Sequence, residues 1–246
     1  MYKFISASIL ATSVVLFGLQ PVQAGQVFFD DMESGAGDWT ATGQWHMQLN
    51  PEDVAVSGDV NPGLVSLPDF GDLPYAYSGD NVWWYGSEDD GTFLDEWDLA
   101  SQVEKNGGWS DLANEGELIS GDIDLTASET ANLTFWNWWE IEGVDVDRYD
   151  LMSVYASTDD GVTWSAVAMM NPINDVDGEA WKPYSSGGLG QVGQWIHTQA
   201  DLSDYVGNTI RLKFHFDTVD EKYNGFRGWL IDDVRITNDL TVKPSF

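Results

Sequence analysis

Short runs of aromatic and β-branched residues dominate this sequence, and clusters of Gly, Asp, Asn and Pro separate one run from the next. Long amphipathic helical patterns are absent, and Leu94–Lys105 is the segment we expect to form a short helix. Many short strands without alternating helices are typical of an antiparallel sandwich. We therefore predict an all-β protein with strands at Gln26–Asp30, Gly43–Leu49, Val82–Tyr85, Leu118–Ile123, Asn132–Ile141, Leu151–Ser157, Thr163–Ala168, Gln194–Thr198, Thr209–Phe216 and Phe226–Ile236.

The alternation of side chains predicts which face of each strand is buried. In Thr209–Phe216 every second residue is apolar, so we expect a half-exposed strand with one core face. In Gly228–Ile236 the same rule places Asp232 on the face that carries Leu230 and Val234. A carboxylate among aliphatic residues needs a partner, and a cation is a suitable one.

The first 24 residues have the pattern of a signal peptide. Lys3 precedes the apolar run Ile5–Leu19, and Val22-Gln23-Ala24 is a small-residue cleavage pattern. Residues 25–246 would then form a single domain, secreted to the extracellular space or to a periplasm. No later stretch is long and apolar enough to cross a bilayer, so we expect no membrane insertion.

The charge balance limits the partners of this chain. It contains 41 acidic and 10 basic residues, a formal net charge of −31, and no cysteine. Such a surface repels nucleic acid and anionic lipid and attracts divalent cations, although solubility in a salty medium would also explain it. Disulfides and cysteine-ligated metals are excluded, and calcium is a common alternative clamp outside the cell.

Four stretches in this order carry a resemblance to a known family: FFDDMESG with GQWHM, LTFWNWWEIEG, YDLMSVYASTDDGVTW, and DLSDYVGNTIRLKFHF leading into GWLIDDVRI. They resemble the MAM-like jelly-roll domain of immune inhibitor A family secreted metallopeptidases. That domain is related in fold to MAM domains and to jelly-roll carbohydrate-binding modules. The resemblance implies an antiparallel jelly-roll β-sandwich from about Val27 to Ile236. The sequence has no HExxH motif, so we expect the module without a peptidase domain.

The resemblance also implies a structural calcium site. The first and last strands of jelly rolls often lie together, and related modules commonly hold calcium there. We predict that calcium is bound by Asp31, Glu33, Asp232 and Asp233. The alternative is that these carboxylates bond to backbone amides or to Arg235.

The segment from Ser157 to Trp164 resembles an Asp-box, a hairpin signature found in unrelated β-proteins. Its aspartates can bond turn amides, Gly161 can adopt a positive φ, and Trp164 can pack beneath the turn. We favour a self-satisfied hairpin with a buried Trp164 over a loop that contacts sugar.

The aromatic segment around Trp136 offers a candidate ligand platform. Trp136, Trp138 and Glu140 share one strand face, and we predict that this face binds ligand. The loops Pro51–Pro74 and Asn171–Gly193 would wall the platform. Packing of the same tryptophans into the core is the alternative that remains open.

A catalytic alternative depends on Glu140 and Glu142, which superficially resemble the acidic motif of laminarinase-like glycosidases. Retaining glycosidases hold two carboxylates about 5–5.5 Å apart, but Gly143 interrupts the strand where a third acid is needed. The three scattered histidines show no catalytic pattern. We therefore expect a non-catalytic module that binds carbohydrate or an extracellular surface protein. The alternatives are a glycoside hydrolase and an acidic, cation-binding matrix protein.

Overall fold

The computed structural model describes residues 25–54, 72–89, 91–94, 112–142, 149–170 and 183–238. Within these ranges the chain forms short strands and two single-turn 3-10 helices, Pro51–Asp53 and Ser203–Tyr205. The strands are, in chain order, β1 (Gln26–Asp30), β2 (Thr40–Ala41), β3 (Trp45–Leu49), β4 (Asn81–Tyr85), β5 (Glu115–Ile119), β6 (Ile123–Asp124), β7 (Asn132–Glu142), β8 (Leu151–Ser157), β9 (Ser165–Met169), β10 (Pro183–Ser185), β11 (Gly188–Leu189), β12 (Ile196–Asp201), β13 (Thr209–Asp217) and β14 (Gly228–Thr237).

The strands form two antiparallel sheets. The larger sheet has the order β11-β10-β7-β14-β4-β3, and β12 and β1 extend it by pairing with β7 and β14. The smaller sheet has the order β2-β5-β13-β8-β9, with β6 beside β13. The protein is therefore an antiparallel jelly-roll β-sandwich, as the sequence predicted. No helix in the described part of the chain is long and apolar enough to cross a bilayer.

Each predicted strand overlaps an observed strand. The structure adds β2, β10 and β11, which have two or three residues each and are too short to show an alternating pattern. The helix predicted at Leu94–Lys105 lies outside the described residues after its first position. Most of the predicted loops Pro51–Pro74 and Asn171–Gly193 also lies outside them.

The main core lies between the two sheets. Strand β13 contributes the apolar set that the alternation predicted, and all four of its members are buried: Ile210, Leu212, Phe214 and Phe216. The ring of Phe214 makes edge contacts with Phe135 at 5.2 Å and with Trp229 at 5.9 Å. Aromatic rings from both sheets therefore interlock at the centre of the sandwich.

A β-bulge in β14 changes the face assignments that simple alternation gave. Asp232 pairs with Trp136 and Arg235 pairs with Thr134, so two residues of β14 oppose one residue of β7. Asp233 has a φ of 49° at this point. Residues inside the core are Trp229 and Ile231 before the bulge and Val234 and Ile236 after it. Asp232 therefore shares the outer face with Leu230 but not with Val234, which corrects the prediction.

The Asp-box hairpin connects β8 to β9 and satisfies its own polar groups. Asp159 Oδ1 accepts hydrogen bonds from the Thr163 amide at 2.8 Å and the Ser157 hydroxyl at 2.7 Å. The hydrogen bonds from Thr163, followed by that from Ser157, lower the pKa of Asp159 to about 2. Asp160 and Gly161 have φ values of 60° and 84°. The hairpin thus needs no ligand to hold its shape.

Trp164 is only partly buried, so the expectation that it lies in the core was wrong. Its ring lies on the outer side of the smaller sheet, 4.7 Å from Lys213 Nζ. The indole therefore lies near the surface, with a cation as its neighbour.

Alanine substitutions of Phe214 and Trp164 should distinguish a core aromatic residue from one near the surface. We expect Phe214→Ala to lower the free energy of unfolding by about 3–5 kcal/mol, because it leaves a cavity between the sheets. Trp164→Ala should cost about 1 kcal/mol, because it removes a cation–π contact at the surface. Urea unfolding measures both values, and an equal loss for the two variants would contradict this assignment.

Candidate binding and metal-ion site

Pairing of β1 with β14 brings the predicted calcium ligands to one region of the larger sheet, which we call the acidic cluster, since Asp30 lies opposite Val234. The backbone segment Ser78–Asn81, which we call the 78–81 turn, lies among them. Asp232 Oδ2 accepts a hydrogen bond from the Ser78 amide at 3.0 Å. Asp233 Oδ1 accepts one from the Ser78 hydroxyl at 3.0 Å. Both carboxylates therefore meet at a single residue of the turn.

Glu33 binds the other end of the 78–81 turn. Its Oε1 accepts hydrogen bonds from the amides of Asp80 at 3.0 Å and Asn81 at 2.9 Å. Its Oε2 accepts another from the Asn81 side chain at 3.2 Å. Asp31 Oδ1 accepts a hydrogen bond from the Glu33 amide at 3.2 Å, which holds the chain after β1. Glu33 therefore fixes the end of the turn, and Asp31 fixes the segment that carries Glu33.

Asp232 is the electrostatically costly member of the set. It has no solvent exposure, and its burial raises the pKa of the carboxyl to about 7. Hydrogen bonds from the amides of Ser78 and Asp233 lower this pKa without cancelling the effect of burial. The alternative partner Arg235 places its guanidinium over the ring of Phe29, 4.3 Å from the ring centroid. Asp232 thus retains the chemistry of a site for a hard cation.

The four predicted ligands fit calcium only in part. All four lie in the described residues, yet no three of them bring their carboxylate oxygens within 4.8 Å of one another. Asp31, Glu33 and Asp232 all accept hydrogen bonds from backbone amides, which is the alternative that the sequence left open. Asp232 and Asp233 are adjacent and meet at Ser78, so they remain the two carboxylates that one cation could share.

A second group, which we call the aromatic patch, lies beside this acidic cluster and consists of Tyr75, Tyr77, Trp136, Trp195 and His197. Trp136 is the cross-strand neighbour of Asp232. The ring of Tyr77 stacks on Trp136 with centroids 3.9 Å apart and an interplanar angle of 15°. The ring of His197 lies 4.9 Å from Trp136. Trp136 is partly buried by these neighbours, so the predicted residue marks the base of the patch.

The outer rings of the aromatic patch face solvent. Tyr75 is 74% exposed and Tyr77 is 40% exposed. Trp195 contacts Tyr77 edge-on at 6.1 Å and donates a hydrogen bond from Nε1 to the Tyr75 carbonyl at 2.9 Å. Sequence reasoning missed these three residues, although Trp195 lies in the predicted strand Gln194–Thr198 and Tyr75-Ala76-Tyr77 alternates like a strand.

Trp138 does not belong to an exposed platform, which corrects the predicted exposure. It is 2% exposed and lies in a small apolar cluster on the outer face of the larger sheet, with Val54, Leu73, Val82, Trp84 and Leu230. The backbone at Gly193 covers its ring so closely that a side chain there would collide with it. The guanidinium of Arg227 lies 4.9 Å from the same ring.

Glu140 is also buried, with 1% exposure, and it forms an ion pair. Arg227 Nη2 lies 2.6 Å from Glu140 Oε2, and Arg227 Nε lies 3.2 Å from both carboxylate oxygens. Arg227 also donates from Nη1 to the Asp72 carbonyl at 3.1 Å. Glu142, at 4% exposure, is buried as well. Both carboxylate oxygens of Glu140 accept hydrogen bonds from Arg227 and are buried away from any substrate. This geometry therefore gives no support to the hydrolase alternative.

A further acidic group surrounds Asp150, which has no solvent exposure. Burial raises the pKa of Asp150 well above its usual value, and the charge of Glu142 raises it further. Asp220 and Asp217 add smaller effects in the same direction. Negative charge is therefore concentrated where β13 ends.

Comparison with known proteins assigns the family. The model of the immune inhibitor A-like MAM domain matches residues 106–243, which is more than half of the chain. The chain belongs to the immune inhibitor A-like MAM domain family. Immune inhibitor A from Bacillus thuringiensis subsp. alesti is 28% identical over 123 residues, which is 50% of this chain. The matched region spans 16% of the length of that relative. The resemblance found in the sequence is therefore confirmed.

Solved structures to which this chain is similar include a cleaved adhesin domain of Lys-gingipain from Porphyromonas gingivalis. The two share 17% identity with a TM-score of 0.46, over 85% of this MAM-family chain and 96% of the adhesin domain. Another is the CBM22-1 xylan-binding domain of Paenibacillus barcinonensis Xyn10C, with 14% identity and a TM-score of 0.39. That match covers 87% of this chain and 94% of the xylan-binding domain.

The buried Asp232 carboxyl predicts a pH dependence of stability in chelator-treated protein. Its pKa rises from 3.8 to about 7 on folding, so the folded state retains its proton to higher pH than the unfolded state. The contribution of this group to stability is complete below the unfolded pKa and is lost as pH rises through about 7. Asp232→Asn should flatten this part of the profile. Urea unfolding from about pH 4 to about pH 8 tests the difference, and parallel profiles would contradict it.

Proposed function

We propose that this chain is a non-catalytic extracellular module that binds carbohydrate at the aromatic patch and is stabilised by calcium at Asp232 and Asp233. The observation that carries the proposal is the pair of exposed rings Tyr75 and Tyr77, with the partly buried Trp195 beside them and Trp136 beneath Tyr77. The expected signal peptide at residues 1–24 and the MAM family membership support an extracellular location.

The rings of the aromatic patch suit the apolar C–H face of a sugar. Tyrosine and tryptophan present large apolar surfaces with a polar group at one edge, which suits a ligand with both kinds of surface. The Tyr77–Trp136 stack and the Trp195–Tyr75 hydrogen bond hold three rings in place before any ligand arrives. A preformed site loses less conformational entropy on binding. The geometry therefore favours a binding surface over an incidental apolar area.

The proposed calcium ligands contact the 78–81 turn, which lies next to the aromatic patch. Tyr77 directly precedes this turn, and Asp232 and Asp233 both bond to Ser78. A cation at these two carboxylates would neutralise the buried charge and fix the backbone that carries the Tyr77 ring. The structural ion and the sugar surface are thus linked by one short segment of chain.

Calcium should raise the melting temperature of the protein. A ligand that binds only the folded state adds about 2.7 kcal/mol of stability at a hundredfold excess over its dissociation constant. Differential scanning fluorimetry with chelator and with excess calcium measures the change. We expect Asp232→Asn to lose most of the increase, because the variant lacks the buried charge.

The matched control for this experiment is Asp159→Asn, which removes an acid in the Asp-box hairpin on the other sheet. Its calcium response should equal that of the wild type. Identical melting curves in chelator and in calcium would contradict the structural ion. Calcium titration without a defined stoichiometry would instead favour the acidic matrix protein, whose many carboxylates bind cations loosely.

Substitutions in the aromatic patch should weaken sugar binding without unfolding the domain. A glycan array identifies a bound oligosaccharide, and titration calorimetry then compares variants. We expect Tyr77→Ala and Trp195→Ala each to weaken binding by about tenfold, equivalent to about 1.4 kcal/mol for a lost ring contact.

Trp164→Ala serves as the control, because it removes a surface tryptophan from the opposite sheet. It should leave sugar affinity unchanged. If no glycan on the array binds, or if Trp164→Ala weakens binding as much as Tyr77→Ala, the aromatic patch is not the carbohydrate site. An extracellular protein would then be the partner to seek.

A further inference from the structure

The outer face of the smaller sheet carries a row of charged pairs along β13. Arg211 Nε lies 2.6 Å from Asp122 Oδ1, and Lys213 Nζ lies 2.6 Å from Glu117 Oε1. His215, next on the same face, lies 3.3 Å from a single oxygen of Glu115. Each basic side chain of β13 thus faces an acid from a neighbouring part of the chain.

The histidine position differs from the other two because its two carboxylates face an imidazole and not a permanent cation. One ligand atom from each of Glu115, His215 and Asp217 lies within 4.8 Å of the other two. Asp217 pairs with Glu115 across the β5–β13 ladder and follows His215 by two residues on the same face. Two carboxylates and one imidazole therefore converge here, whereas the acids at the two preceding positions face the permanent cations Arg211 and Lys213.

We propose that Glu115, His215 and Asp217 bind a divalent cation of the zinc class, at a site separate from Asp232 and from the aromatic patch. An imidazole nitrogen with two carboxylate oxygens is a donor set that suits zinc and neighbouring transition metals. Calcium prefers oxygen ligands alone. The single nitrogen donor therefore distinguishes this site from the one proposed at Asp232.

The backbone and neighbouring groups preorganise the three donors. Strands β5 and β13 are hydrogen-bonded neighbours, so the separation between their side chains is fixed by the sheet. The ring of Tyr155 contacts His215 edge-on at 6.3 Å, and the Val219 amide donates to Asp217 Oδ1 at 2.8 Å. The His215 side chain is 18% exposed, whereas that of Glu115 is 71% exposed. The group therefore opens to solvent on the Glu115 side.

Local charge also favours a cation here. Asp217 contributes to the negative potential that acts on the buried Asp150 carboxyl, as does Asp220. The chain as a whole has a formal net charge of −31. Three protein donors leave at least one position of a tetrahedral zinc site open to water or to a donor from another molecule.

Zinc titration of the full chain in excess calcium tests the proposal, because calcium occupies the sites that contain only oxygen. We expect one zinc ion per chain, with the imidazole NMR signals of His215 shifting on binding. His215→Ala should weaken zinc binding by at least tenfold, since even the loss of a supporting group costs metal sites about 10–100-fold. Glu115→Gln, at an exposed position that does not threaten the fold, should also weaken it.

Glu117→Gln is the matched control, because it changes an acid of the same strand and face that pairs with Lys213. Its zinc affinity should equal that of the wild type. The proposal is overturned if His215→Ala and Glu115→Gln both bind zinc like the wild type. It is also overturned if excess calcium removes the binding, or if Glu117→Gln weakens it as much as Glu115→Gln.

Discussion

The bulge in β14 is the constraint on which the rest of the larger sheet depends. One extra residue opposite β7 lets both halves of β14 face the core, with Trp229 and Ile231 before the bulge and Val234 and Ile236 after it. Asp232, the last regularly paired residue before the bulge, lies on the outer face beside Trp136. A regular strand would direct one half of its apolar residues to solvent, because strand side chains alternate strictly.

The position of Asp232 then determines what lies over the sheet. Its carboxylate and that of Asp233 bond to Ser78, and Glu33 bonds to the far end of the same turn. The chain before this turn carries Tyr77 onto Trp136. The acidic cluster and the aromatic patch are thus one structural unit, in which backbone amides donate hydrogen bonds to the carboxylates and aromatic rings cover the sheet.

The sequence predicted features that depend on local alternation and missed those that depend on distant covering segments. The four apolar residues of β13 were predicted because alternation alone determines their face. Trp138 could not be predicted as buried, because Gly193 and Arg227, which cover it, are far away in sequence. The prediction that Asp232 shares a face with Leu230 was right, and the prediction that it shares a face with Val234 was wrong, because the bulge changes only the residues that follow it. Trp164 was misjudged because a hairpin signature does not specify which side of the sheet its tryptophan occupies.

The buried Glu140–Arg227 pair has a consequence for how this family can change over evolutionary time. Loss of either partner alone leaves an unpaired charge in an apolar setting, which costs about 3–5 kcal/mol. Replacement of both by apolar residues of similar volume can be neutral or stabilising. Intermediate sequences that carry only one change would be removed by selection, because the stability lost through that change approaches the whole free energy of unfolding of a small domain. The two positions, 87 residues apart in sequence, should therefore be inherited and exchanged as a pair.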